Sequence, residues 1–244
     1  MLKFNSGMKE SQMAYCIRRM EDKDIPQVLQ LDREAYPTQW PRPTYSGIKH
    51  ELYNRLARYI VAVKQAELQP SAIKNNNNNS LQQAFSYIKH LFDHDRFFGP
   101  EQPRPASEYV IGMAGFWIMV DEAHITTIAT REAYRRQGIG EWLLIAVMEM
   151  ALELKANVIT LEVRASNKPA QELYQKYAFK HVGLRRRYYT DNGEDALIMT
   201  TNSLTSDTFK SYFEKLKEAH RKRWTDLYAA TPDTTAAMPR GGRL

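Results

Sequence analysis

The chain has 244 residues, with 34 Lys and Arg against 28 Asp and Glu, and a net charge of +6. Hydrophobic residues make up 43% and charged residues 25%, close to the average of soluble globular proteins, which excludes wholesale disorder. The single cysteine excludes an internal disulfide and a Cys-rich metal framework, and it predicts a cytoplasmic protein. No apolar signal segment opens the chain, and the longest apolar stretch, 142–152, is shorter than the ~20 residues of a membrane helix.

Residues 65–107 look like an insertion into a folded core. They contain five consecutive asparagines at 75–79 and a proline-rich run at 97–107. Such tracts bury too little apolar surface to offset the entropy of ordering, so we expect a low-complexity segment. His90 and His94 stand four residues apart here, but with only two aspartates nearby no metal site is expected.

The two ends of the chain also look additional. Residues 1–14 are expected to be a disordered N-terminal extension. In the tail, 203–244, apolar residues at three-to-four spacing predict an amphipathic helix over 207–228 with a disordered end behind it. The tail carries +3 of the net charge. What remains is a single domain within 15–202, of about 145 residues once the insertion is set aside.

The core alternates strand and helix patterns, which predicts an α/β fold with a mixed central sheet flanked by helices. An Asp-Asn-Gly turn at 191–193 joins the last two strands into a hairpin. Helix 24–34 begins with Asp24 as its expected cap. We place strands at 14–19, 59–63, 109–119, 125–129, 158–163, 179–184 and 196–200, and helices at 24–34, 138–154 and 168–177.

The most informative segment is ITTIATREAYRRQGIGE at 125–141, in which a strand leads through a loop into the longest helix of the core. Glycines at a helix N-terminus let a ligand approach the backbone, and the unpaired amides and the positive dipole end suit phosphates. Arg135 and Arg136 add fixed positive charge. The segment lacks the Lys-Ser/Thr of a Walker loop and the complete dinucleotide fingerprint. The alternative to a phosphate-binding loop is that the two glycines only shorten a tight turn.

A second group of polar residues follows in the next strand and helix. Glu162 interrupts an apolar strand, where burial raises the pKa of a carboxylate towards neutrality and makes it suitable as a general base. Tyr174 lies twelve residues later on a helix that Asn167 is placed to cap. The alternatives are a carboxylate paired with Arg164 or Arg187, and a tyrosine that only packs in the core.

These residues resemble a known family, the GNAT acetyltransferases. The order of strand, R-x-x-G-x-G loop, long helix, strand, short helix and hairpin is similar to theirs. Within that superfamily, LEVRASN at 161–167, LY at 173–174, and RRxYY…EDAxIM at 185–199 resemble the RimI-type ribosomal-protein-alanine N-acetyltransferases of bacteria. The resemblance is strong over 128–199, weaker over 15–63, and absent from the insertion and the tail.

The resemblance implies an acetyl-CoA-dependent N-acetyltransferase, with acetyl-CoA as co-substrate and no metal. It makes Glu162 the base that accepts the amine proton through water, and Tyr174 the acid that protonates the CoA thiolate. Glu141 departs from the usual Arg or Lys, which predicts a weaker field for phosphates, and Thr130 departs from the usual valine. The implied cofactor-binding residues are Ile128, Ala129, Thr130, Arg135, Arg136, Gln137, Gly138, Ile139, Gly140, Glu141 and Asn167.

The expected acceptor is the N-terminal α-amine of a protein, most simply an alanine-starting ribosomal protein. An α-amine with a pKa of about 7.7–8.0 is partly neutral at physiological pH, whereas a lysine amine near 10.4 is almost wholly charged. Tyr188 and Tyr189 are reasonable walls for a peptide N-terminus. Two other acceptors of the acetyl group, lysine side chains and small amines, stay open as alternatives. A non-catalytic acetyl-CoA- or RNA-binding module is a third alternative.

The basic run 221–224 on the tail helix has two interpretations. Its helix can dock on the catalytic domain through an aromatic-aliphatic face. Lys and Arg with an interleaved aromatic also suit contact with RNA or the ribosome.

Overall fold

The computed structural model describes residues 15–38, 41–65 and 108–228. The predictions for the N-terminal extension, for the insertion after Gln65 and for residues 229–244 lie outside the described residues, as do His90 and His94. In the described part no helix is long and apolar enough to cross a membrane.

The centre of the fold is a seven-stranded mixed sheet, as predicted. Strand order is β1-β2-β3-β4-β5-β7-β6, and all neighbours run antiparallel except β4 and β5, which are parallel. The last two strands form the hairpin predicted from the Asp-Asn-Gly turn. The strands are β1 (Tyr15–Arg19), β2 (Ala57–Gln65), β3 (Glu108–Met119), β4 (Glu122–Thr130), β5 (Val158–Arg164), β6 (Phe179–Tyr189) and β7 (Glu194–Thr201).

Helices cover both faces of the sheet. The side chains of β3 divide between the two faces of the sheet: Val110 and Met113 enter a cluster with the first helix, and Ile111 and Phe116 enter the larger core around the long central helix. A bulge in β3 opposite Ala62 and Val63 shifts the alternation between Val110 and Met113. The fold therefore has two hydrophobic layers separated by the sheet. The helices are α1 (Ile25–Ala35), α2 (Tyr45–Leu52), α3 (Ile139–Glu153), α4 (Lys168–Lys176), α5 (Asp207–Arg223) and α6 (Thr225–Tyr228).

The two parallel strands, β4 and β5, separate halfway along their length. β4 and β5 are paired only from Glu122 opposite Val158 to Ile125 opposite Leu161. The next residue of β4, Thr126, has no residue opposite it in the register with β3 and therefore forms a β-bulge. Bulges bend a strand and increase its twist, so the second half of β4 turns away from β5. The gap opens a groove within the sheet.

The C-terminal segment packs on the long helix α3. Phe209, Phe213 and Leu227 are buried in the same core as α3, and the Trp142 and Tyr228 rings lie 5.5 Å apart. The predicted helix 207–228 is in fact two helices, because the helical conformation is interrupted at Trp224.

Helix α3 is buried on more than one side. Leu143 and Val147 are buried, and so are Trp142, Leu144 and Ile145. The sheet covers one side of α3 and the tail covers another, so one apolar stripe would not have been enough.

Three further features differ from the predictions. Asp24 precedes α1, but its carboxylate accepts hydrogen bonds from Arg18 (2.7 and 2.8 Å) and from the Glu21 amide, and it does not cap the helix. Helix α2, capped by Thr44, was not predicted. Its eight residues bury no side chain, so no apolar period marked it. Strand β6 also runs five residues beyond the predicted 184, through the basic run into Tyr189.

Candidate active site

The gap between β4 and β5 forms a groove of about 830 Å³. Its walls come from α1, the second half of β4, the end of β5, α4 and the hairpin β6–β7. The groove therefore collects residues that are far apart in the sequence. Of the residues predicted for the site, it brings together Ile128, Ala129, Thr130, Gly140, Glu162, Asn167 and Tyr174, and also Tyr188 and Tyr189.

Glu162 lies on β5 at the point where the strands separate. Its side chain is 6% exposed, and its two oxygens bind different partners, His124 at 2.7 Å and Arg185 at 2.8 Å. The hydrogen bond to His124 holds the pKa of Glu162 below its usual range, and this outweighs burial. The expected upward shift was therefore wrong, because the strand next to β5 supplies a partner for the carboxylate. Neither Arg164 nor Arg187, the partners considered from sequence, binds it.

His124 also belongs to the site, although no sequence motif marks it as a site residue. It lies on β4 opposite Thr160 of β5, on the same face as Glu162. The hydrogen bond to Glu162 raises the pKa of His124. The two groups are therefore coupled through this hydrogen bond and form one acid–base pair. Only the parallel register of β4 and β5 reveals this pair.

Tyr174 projects from α4 into the groove with 5% of its surface exposed. Its ring packs against Phe179 at a centroid distance of 5.6 Å. Among the described residues its hydroxyl has no hydrogen-bond partner. Burial raises the pKa of this hydroxyl, so the group keeps its proton throughout the physiological range.

The predicted phosphate loop leads into α3. Gly138 precedes the helix with φ +78°, and Arg136 also has a positive φ, 62°. The first intrahelical bond runs from the Trp142 amide to the Gly138 carbonyl, so the amides of the first turn have no acceptor within the helix. A Cβ on Gly140 would meet Thr130 Oγ1 only at 3.5 Å, so Gly140 lies open to the groove. Free amides, a dipole end and two arginines fit a phosphate group.

Glu141, in the first turn of α3, does not face this site with a free charge. Its Oε1 accepts hydrogen bonds from Lys176 at 2.5 Å and Tyr177 at 2.7 Å. Burial favours its neutral form, but these bonds outweigh burial and hold the pKa of Glu141 below its usual range. The carboxylate is thus neutralised by Lys176, which removes the reason to expect a weaker field at the loop.

Asn167 caps α4, as predicted, through a 3.3 Å bond from the Ala170 amide to its side-chain oxygen. The preceding residue is tied to the hairpin, since Glu194 accepts a hydrogen bond from the Ser166 amide at 2.7 Å. Arg164 binds both Glu194 and Asp191 of that hairpin. These bonds fix the loop that carries Asn167 into the groove.

The second half of β4 forms the other wall. The Tyr36 hydroxyl donates to the Ile128 carbonyl at 2.9 Å, which leaves that oxygen one lone pair. Tyr188 and Tyr189 close the far side, and the Arg164 guanidinium lies 3.9 Å from the Tyr189 ring centroid. Within the ranges described, no three His, Cys, Asp or Glu residues come close enough to hold a metal ion.

Comparisons with known proteins agree with this geometry. Residues 68–179 match the acetyltransferase (GNAT) family. A protein of Bacillus subtilis (strain 168), provisionally named a ribosomal protein bS18-alanine N-acetyltransferase, is 33% identical over 75% of this chain and 92% of its own length. An N-alpha-acetyltransferase of Sulfurisphaera tokodaii is 33% identical over 76% of this chain and 91% of its own.

Solved structures share the fold. The ribosomal-protein-S18-alanine N-acetyltransferase from Escherichia coli superposes with a TM-score of 0.54 over 79% of this chain and 97% of that one, at 21% identity. The relatives, the parted β4 and β5 and the open amides before α3 lead to one conclusion. This chain belongs to the GNAT family and is an acetyl-CoA-dependent N-acetyltransferase, similar to those of RimI type.

Proposed function

We propose that this enzyme acetylates the N-terminal α-amine of a protein, and that an alanine-starting ribosomal protein is its substrate. The names of two relatives, one for bS18 alanine and one for protein α-amines, support this choice. The observation that carries it is the state of Glu162, a buried carboxylate whose pKa is held low by His124.

A carboxylate with a lowered pKa is a weak base. It can help to remove a proton from an α-amine, of which a fraction is already neutral near pH 7. It is poorly matched to a lysine amine, whose pKa is about 10.4. The base strength at this site therefore favours an N-terminus over a lysine side chain.

We assign the cofactor to the groove and the loop beside it. Arg135 and Arg136, with the amides of 137–141, would hold the pyrophosphate of acetyl-CoA. The backbone of 128–130 and the Asn167 side chain would hold the pantetheine arm. Bound there, acetyl-CoA supplies an acetyl thioester, which is already activated towards amines. For Glu141 only the backbone amide would contribute, because its side chain is bonded to Lys176 and Tyr177.

Proton movement is assigned to three groups of the chain. Glu162 would receive the amine proton through water, and His124, hydrogen-bonded to the same carboxylate, would share it. Tyr174 would deliver its proton to the departing thiolate. Its raised pKa and its lack of a hydrogen-bond partner among the described residues suit a group that must stay protonated until then.

We further propose that residues 15–202, with the insertion, form the catalytic domain and that the tail is its extension. Phe209 and Phe213 of the tail helix are buried against this domain. Arg221 and Lys222 are exposed on the same helix. Contact of this basic run with RNA or the ribosome stays a prediction.

Mass spectrometry of acetylated peptides tests the proposal. The purified protein and acetyl-CoA would be given peptides that start with Ala, Ser or Met, and N-terminally blocked peptides that contain an internal lysine. We expect a single acetyl group on the α-amine of the Ala peptide and none on the blocked peptides. Transfer to blocked lysine peptides without transfer to free Ala would overturn it. Glu162→Gln, assayed in parallel, separates enzymatic from spontaneous acetylation.

A further inference from the structure

Asp32 is a buried acidic residue of the groove wall that the mechanism above does not use. It lies in the last part of α1, is 6% exposed, and lines the groove together with Tyr36. Its Oδ2 atom is buried and has no hydrogen-bond partner among the described residues.

An unpaired carboxylate at such a position is energetically costly. The neighbouring buried positions of α1, Val28 and Leu31, are apolar and pack in the core beneath the sheet. An apolar residue at position 32 would continue that stripe without cost. Burying a polar group without a hydrogen-bond partner is unfavourable, and burying an unpaired charge is more so. A bound group that donates hydrogen bonds would remove this cost.

The other carboxylates of the groove already have cations bonded to them. Glu162 binds His124 and Arg185, and Asp191 binds Arg164 at 2.8 Å. Within the described ranges Asp191 keeps one unpartnered oxygen, Oδ1, but its other oxygen is bonded to Arg164. In the described part of the chain, Asp32 differs from these neighbours because no cation is bonded to it.

Nearby arginines do not fill this role. Arg42 and Arg33 act on Asp32 only through space. The Arg42 guanidinium is used elsewhere, since it donates hydrogen bonds to the carbonyls of Tyr36 and Pro37. Asp32 therefore keeps its capacity for a cationic ligand.

We propose that Asp32 binds a cationic side chain, Lys or Arg, at the second or third residue of the acceptor polypeptide. This inference rests on the proposed N-terminal acetylation. The reacting amine itself is not the ligand, because it must lose its proton near Glu162 on β5, and a second carboxylate beside it would hold that proton. Asp32 belongs instead to α1, which packs on β3 and β4. A residue following the acetylated one can reach that wall.

Peptides that differ only in charge test this on the unaltered enzyme. One series carries Ala at the first position and Arg, citrulline, Lys, norleucine or Glu at the second or third. We expect kcat/KM to be about tenfold higher for Arg than for citrulline, because citrulline cannot form the charge-assisted hydrogen bonds to Asp32. The difference should lie mainly in KM. Equal kcat/KM for the Arg and citrulline peptides at both positions would overturn the proposal.

The Asp32→Asn variant tests whether Asp32 itself causes the preference for a cationic side chain. We expect this variant to lose the preference for Arg over citrulline while keeping its rate on the citrulline peptide and its KM for acetyl-CoA. Because Asp32 has no partner to lose, its thermal midpoint should not fall. Asp121→Asn, which removes an exposed carboxylate outside the groove, should keep the preference. A preference that persists in Asp32→Asn, or an equal loss with every peptide, contradicts the assignment.

The peptide series also separates this proposal from the function beneath it. If the unaltered enzyme acetylates no free N-terminus, the proposed function fails. If it acetylates all the peptides without regard to charge, the function stands and the role of Asp32 fails.

Discussion

The indole of Trp224 lies directly against Gly138, the residue that precedes α3. A Cβ built on Gly138 would come within 2.6–2.7 Å of three atoms of that ring. His220 reinforces the contact, with Nε2 3.0 Å from the Gly138 carbonyl and Nδ1 2.8 Å from the Tyr228 hydroxyl. Both side chains lie beyond residues 68–179, which match the family. The C-terminal segment therefore supports the loop to which we assign the cofactor pyrophosphate.

Removal of this support should weaken cofactor binding more than chemistry. In Trp224→Ala, Gly138 loses the ring that packs against its left-handed backbone, φ +78°. We expect KM for acetyl-CoA to rise about tenfold, with kcat and KM for the peptide changed little, because small misplacements of a binding group are costly. Initial rates at varied acetyl-CoA, together with calorimetric titration of CoA, measure this.

Trp224→Phe is the matched control, since it keeps an aromatic ring at the contact and should recover most of the affinity. Circular dichroism and the thermal midpoint check that α5 still docks. An unchanged Kd for CoA in a folded Trp224→Ala protein would contradict a role for the tail in the cofactor site.

The His124–Glu162 pair should behave as one unit in catalysis. We expect Glu162→Gln and His124→Gln each to lower kcat about a hundredfold, in the range of lost general base catalysis. The double variant should lose little more than either single one, because each change already disables the shared 2.7 Å hydrogen bond. Steady-state kinetics with an Ala-starting peptide, measured for the unaltered protein, both single variants and the double variant, completes this double-mutant cycle.

His181→Gln serves as the control for this cycle, because His181 is exposed on β6, outside the groove residues. It should keep the full rate. Strictly additive losses in the double variant would mean that His124 and Glu162 act separately.

The same pair predicts a pH dependence of stability. The pKa of His124 is raised by its bond to Glu162, so this stabilisation is complete below the unfolded value of about 6.5. It is lost as pH rises through the raised folded-state pKa. We expect the difference in urea midpoint between the unaltered protein and His124→Gln to be larger at pH 6 than at pH 9. A difference that grows towards pH 9 would contradict the sign of this shift.

Much of the fold could be predicted from the sequence, because its strands and helices carry strong local patterns. The runs at 109–119 and 158–163 are apolar enough to be recognised as buried strands, and the structure places β3 and β5 there. Helix α2 could not be found this way, since none of its side chains is buried. The break at Trp224 also escaped prediction, because no proline or glycine marks it in the sequence.

The candidate site could be predicted only where one short segment carries its structure. The turn that leads into α3 and the cap at Asn167 depend on neighbours in sequence, and the structure has both. Their role in binding the cofactor stays a prediction. His124 and the two bonds of Glu162 depend on which strands lie side by side, 38 residues apart in the case of His124. The state of Glu141 depends on Lys176 and Tyr177, which approach it only when α4 folds next to α3. The partners that set the charge state of Glu162 and Glu141 come from other elements of the fold, so the sequence pattern does not reveal them.

Tyr174→Phe isolates the proposed acid. Because the hydroxyl has no hydrogen-bond partner among the described residues, its removal should leave the thermal midpoint and the Phe179 contact unchanged. We expect kcat to fall about a hundredfold with KM for acetyl-CoA nearly constant, since the lost group acts on the leaving thiolate rather than in binding. Stopped assays of CoA release with an Ala-starting peptide measure this. Tyr177→Phe is the contrasting variant, because its hydroxyl binds Glu141 and its loss should lower stability rather than kcat. A full rate in Tyr174→Phe would mean that water protonates the thiolate.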